Sequence, residues 1–166
     1  MNYNNYLIRT IYSTGLSSLT LSFYKTNLSL SFSPMQLSNY KKENKIYIST
    51  TISDESVATI LSFCQAILTG KQTTSMKYTI DCNNQTTLTF ECEPNRDRQL
   101  QAYLTIEKNR QSTPFMFEIR PCKINENGRE HIEFVQTGLI VFSKALEAYL
   151  TGIAAERSDY GNNYYN

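Results

Sequence analysis

The residues with the most chemical reach are few and scattered. Four cysteines stand at 64, 82, 92 and 122 with no CxxC spacing, so a thiolate metal site or redox pair is not indicated. Cys64, Cys82 and Cys92 fall on apolar, core-facing positions and read as buried free thiols in a reducing compartment. The single histidine, His131, sits among Arg129, Glu130 and Glu133 and reads as a surface or capping residue. Asp54 and Glu55 follow Ser53 at the start of a helical pattern, where carboxylates offset the helix dipole. Six glycines include no GxGxxG or GxxxxGK[ST] arrangement to cradle phosphate. The sequence therefore predicts no catalytic site, no metal and no cofactor.

What remains is chemistry of contact. Tyrosine faces stack on unpaired bases at roughly 1–3 kcal/mol each, and lysine or arginine neutralises phosphate. The residues predicted to make such contacts are Tyr24, Lys25, Lys41, Lys42, Lys45, Tyr47, Lys77, Tyr103 and Arg120. Sixteen basic residues against fifteen acidic leave a net charge of +1, which excludes a strongly cationic, histone-like binder. Residues 1–70 carry five basic and three acidic side chains, whereas residues 71–153 carry ten of each.

Those side chains need elements to hold them. With 40% hydrophobic residues in 166, the chain has the apolar content to fold as a single domain without staples. Tyr6–Tyr12 reads as a first strand. Ser18–Tyr24 and Asn27–Ser33 alternate strictly about Lys25-Thr26 and predict a hairpin. A polar loop with Pro34, Asn39 and the lysines leads to a fourth strand, Lys45–Ile52. Ser53 caps a helix whose apolar face is Val57, Ile60, Leu61, Cys64 and Leu68, ended by Gly70. Met76–Cys82 and Thr86–Cys92 predict a second hairpin, and Leu100–Lys108 with Phe115–Arg120 a third. A loop with Gly128 then precedes a helix from about Thr137 to Thr151, with Leu139, Phe142, Leu146, Tyr149, Leu150 and Ile153 inward.

The order ββββα occurs twice. Gln65–Gly70 also matches Glu147–Gly152 at four of six positions, 82 residues apart. The expected fold is α+β, a duplicated ββββα unit with two antiparallel four-stranded sheets and two helices. Its halves would span 6–70 and 75–153 of one domain, 1–153, with a flexible tail from 154 to 166.

This order resembles the Whirly-type fold of plant Whirly proteins, trypanosome mitochondrial guide-RNA-binding proteins and some phage single-stranded-DNA-binding proteins. The resemblance lies in element order across residues 6–153 and carries no shared motif. It implies binding of single-stranded nucleic acid along the sheets, usually by a tetramer.

The outward positions suit that expectation unequally. The first sheet would show Ser18, Thr20, Ser22, Tyr24, Tyr47, Ser49 and Thr51 with no carboxylate. The second would show Lys77, Thr79, Tyr103 and Arg120, but also Asp81, Glu91, Glu107 and Glu118. The first sheet is therefore the expected binding face. So few cations per chain favour a homo-oligomer that repeats the strand path. The expected function is coating or protecting single-stranded DNA in replication, recombination or repair, with RNA as the alternative ligand. The tail is the segment through which replication or recombination proteins would dock. The rival is a protein-interaction or assembly module that binds by strand addition. Residues 1–9 lack the flanked apolar run of a signal peptide, and no membrane partner is expected. The expected compartment is the cytoplasm, that of the host if the source is a phage, which the Asn-, Lys- and Tyr-rich composition would suit.

Overall fold

The computed structural model describes residues 5–13, 17–24, 30–36, 46–82 and 85–164. The chain is α+β, with antiparallel sheets and two helices. Strands β1 (Asn5–Ser13), β2 (Ser17–Tyr24) and β3 (Leu30–Gln36) form a meander. Two short strands, β4 (Ile46–Tyr47) and β5 (Thr50–Ile52), both pair with β3. Helix α1 (Asp54–Leu68) follows. A second meander runs β6 (Met76–Cys82), β7 (Thr86–Pro94), β8 (Leu100–Lys108) and β9 (Gln111–Met116). Next come a separate hairpin, β10 (Arg120–Glu126) and β11 (Arg129–Val135), and helix α2 (Thr137–Tyr164).

Two four-stranded sheets are therefore not what the chain forms, and the departures have local causes. The expected fourth strand is split between Tyr47 and Thr50. In the shared register of β3 with β4 and β5, the gap falls opposite Ser33-Pro34. Proline has no N–H to donate, so the ladder lapses there. Pro34 itself lies within β3, opposite Leu19, rather than in a loop. The residues read as a loop around Gly128 form the hairpin β10–β11. Asn127 and Gly128 take positive φ angles of 53° and 76°, the backbone that a tight two-residue hairpin turn requires. Asn109 and Arg110 do the same between β8 and β9, at 51° and 65°, so β9 starts at Gln111 and ends before Phe117. Arg120, expected at the end of a strand of the second sheet, instead opens β10.

Helix α1 begins as its sequence dictates. The Ser53 hydroxyl accepts from the Ser56 N–H at 3.3 Å, and Gly70 takes φ +77° just past the last turn. Its buried face is Val57, Ile60, Cys64 and Ile67, while Leu61 and Leu68 are partly covered. Helix α2 buries Leu139, Phe142, Leu146 and Tyr149 and runs on through Gly152 to Tyr164, past the end expected at Thr151. The two helices pack together. Tyr149 donates its hydroxyl to Asp54 Oδ1 at 3.0 Å, and Gln65 Nε2 donates to Glu147 Oε1 at 3.3 Å.

The core lies between the helices and the inward faces of the strands. Phe117 is its aromatic centre, with ring centroids 5.1 Å from Phe115, 4.6 Å from Phe142 and 6.3 Å from Phe90. All four rings are essentially inaccessible to solvent. Burying each one contributes on the order of 1.5–3 kcal/mol. The first residues of β7, β8, β9 and α2 trail those of β1, β2, β3 and α1 by about 82 residues. Burial in the strands repeats at 83 residues. Ser18, Leu19 and Leu21 are buried in β2, and Gln101, Ala102 and Leu104 in β8. In this frame β6 and β10 have no described counterpart in the first half.

Candidate nucleic-acid interface

Alternation separates a core-facing set, Leu19 and Leu21 in the first sheet and Leu88, Phe90 and Leu104 in the second, from a more polar set on the other face. In the first sheet, registered rows run Thr10–Thr20–Ser33 and Leu7–Ser22–Ser31–Thr51 across the strands. Thr20, Ser22 and Thr51 are half-buried and Ser49 is exposed. No strand of this sheet contains an aspartate or glutamate. One residue expected on its open face is corrected by the structure, because Ser18 is only 4% exposed. The hydroxyl surface is thus narrower than alternation alone suggests.

The second sheet has a different character. Its open rows are Lys77–Glu91–Tyr103–Met116, Thr79–Thr89–Thr105–Pro114 and Asp81–Thr87–Glu107–Ser112. Three carboxylates thus accompany one ammonium. The Thr79 and Thr89 hydroxyls lie 3.4 Å apart, linking the middle row. The Tyr103 hydroxyl is held above its ordinary pKa, first by partial burial and then by the Glu93 and Glu91 carboxylates.

The predicted contact residues do not converge. Tyr24 closes β2 beside Asn5, whereas Tyr47 pairs with Met35, so the two lie toward opposite ends of β3. Lys25, Lys41, Lys42 and Lys45 lie outside the described residues. Lys77 stands on the edge strand β6 with its Nζ 4.0 Å from Glu91. Arg120 is 3.6 Å from Glu118. Tyr103 shares the acidic face with Lys77. Both described cations are therefore already paired, although exposed pairs of this kind are worth at most about 1 kcal/mol and exchange readily.

Other chemistry finds little footing. All four cysteines are free thiols. Burial pushes Cys64 far above the ordinary thiol range and raises Cys92 less. His131 Nε2 lies 3.1 Å from Glu133 Oε1 on the exposed hairpin. Among the described residues, no cluster of three His, Cys, Asp or Glu side chains could hold a metal ion. No helix there is long and apolar enough to cross a membrane. Sequence reading missed the hairpin β10–β11, although Asn127-Gly128 flanked by alternating residues was the signal for it. No protein-family model matches the chain, and neither a curated protein nor a solved structure is significantly similar to it.

Proposed function

We propose that this protein is a non-enzymatic binder of single-stranded nucleic acid, DNA in the first instance, which it coats or protects in replication, recombination or repair. The observation that carries the reading is the charge asymmetry between the sheets. The first has no carboxylate on any strand, while Asp81, Glu91 and Glu107 stand on the open face of the second. A phosphate chain is repelled by the second face and tolerated by the first. The rows of Thr and Ser hydroxyls there offer hydrogen bonds to phosphate oxygens and base edges. A hydroxyl-rich sheet whose strands include Tyr24 and Tyr47 suits unstacked bases better than a closed duplex. In this reading the chain is a duplicated unit with β1, β2, β3 and α1 matched to β7, β8, β9 and α2. The resemblance in element order to the Whirly-type fold belongs to the same proposal, as does a homo-oligomer that repeats the strand path.

The test is fluorescence anisotropy of a labelled single strand of deoxythymidine, about 30 nucleotides long, at two salt concentrations. Duplex of equal length and single-stranded RNA are the controls. Saturable binding that prefers the single strand over duplex supports the proposal, and the RNA arm decides the sugar. Absence of binding at low salt overturns it. A second reading, an assembly module, is favoured by the exposed apolar residues of β11 and predicts no response to any oligonucleotide.

A further inference from the structure

Among the described residues, the exposed large hydrophobic side chains are Ile132 at 57%, Phe134 at 36% and Ile140 at 39%. Two lie at alternate positions of β11 and the third on the first turn of α2. The hairpin that carries them is unusual. β10 and β11 pair with each other and with no other described strand. A lone two-stranded ribbon is marginally stable, and its outer edges present unpaired N–H and C=O groups. The edge of β10 is guarded by Pro121 and Lys123. That of β11, Arg129–Val135, has no proline and no lysine.

We infer that β11 is a self-association strand that pairs antiparallel with β11 of a second copy of this chain. The result is a four-stranded ribbon, β10-β11-β11-β10, about a two-fold axis through Ile132. A two-fold contact must be self-complementary, and the strand satisfies this in that register. Ile132 meets Ile132 of the second copy, covering the most exposed apolar side chain of the described set. His131 meets the second copy's Glu133 twice, the same kind of contact that the two residues make within one chain at 3.1 Å. Glu130 falls opposite Phe134, and Arg129 opposite Val135, so no like charges meet. Centring on Glu133 would set two carboxylates face to face, which cross-strand pairing disfavours, and centring on His131 would oppose two imidazoles and forgo the contact between the two Ile132 side chains. The occupant is therefore a second copy in one specified register, and the inference stands whether or not the sheets bind nucleic acid.

The experiment measures molar mass by light scattering on the full chain, at several concentrations, for the wild type and for Ile132→Asp. The wild type should show twice the 19.1 kDa chain mass or a multiple of it, and Ile132→Asp should fall by at least half. Circular dichroism checks that the variant stays folded, as expected for a substitution at an exposed position. Register is tested by mild oxidation of Ile132→Cys and Lys123→Cys, each in a Cys122→Ser background. Only the first should give a disulfide-linked dimer. A monomeric wild type, an unchanged mass in Ile132→Asp, or equal crosslinking at both positions would overturn the inference. An Ile132→Asp variant that keeps its mass but loses oligonucleotide binding would assign β11 to nucleic acid instead.

Discussion

Gln65 and Glu147 face each other across 3.3 Å between the two helices, and they stand 82 positions apart in the chain. The core-facing residues Val57, Ile60, Cys64 and Ile67 recur at that spacing as Leu139, Phe142, Leu146 and Tyr149. Equivalent residues of two matched helices touch each other only close to a two-fold axis between them. Contact between β3 and β9, also about 82 residues apart, is of the same kind. The internal relation proposed for the chain therefore makes a prediction at this contact. Gln65→Glu sets a second carboxylate beside Glu147 and should lower stability by less than about 1 kcal/mol, since the pair is exposed. Adding Glu147→Gln should restore it. Urea melts of the two single variants and the double variant measure the coupling, and additive effects would show that the helices do not meet here.

Gly138 is the point where α2 enters the fold. Its N–H donates to Glu118 O at 3.0 Å, and a Cβ placed there would come within 2.5 Å of the Glu118 backbone N and 3.1 Å of the Phe117 backbone. Backbone cannot yield as a flexible side chain can. Gly138→Ala should therefore destabilise the fold by about 1–3 kcal/mol, against the helix preference for alanine. Gly152→Ala, with open space around it, should not destabilise at all. Thermal melts of the two variants make the comparison.

Much of this was legible and some was not, for identifiable reasons. Ser53, its acidic followers and the spacing of Val57, Ile60 and Cys64 announced α1 because cap and period agree. Pro34 was misread as a loop residue because its place in β3, at the break between two pairing segments, depends on a tertiary neighbour. Ser18 was read as exposed because alternation assigns a face but cannot say how much of it is covered. The same limit applies to Lys77 and Glu91. Alternation puts them on one face, but their direct opposition depends on the register set by the turn between β6 and β7. The hairpin β10–β11 was available from Asn127-Gly128 alone.

The buried thiol of Cys64 gives stability a pH dependence. Burial holds it neutral in the folded chain, while in the unfolded chain a thiol ionises near pH 8.5. A raised folded-state pKa means that the contribution is complete below that pH and is lost as pH rises above it. The loss is about 1.4 kcal/mol per pH unit for one such thiol. Denaturant melts from pH 7 to 10 should show this decline, and Cys64→Val should flatten it. An equal slope in both proteins would mean that other groups govern it.

The most direct measurement places one carboxylate on each sheet in turn. Ser22→Glu adds it to the carboxylate-free rows of the first sheet, and Thr89→Glu adds it to the middle row of the second. Both proteins are titrated into the labelled oligodeoxythymidine beside the wild type. The account predicts at least a several-fold weaker affinity for Ser22→Glu and little change for Thr89→Glu. Equal losses in both, or a loss confined to Thr89→Glu, would contradict the assignment of the strand to the first sheet.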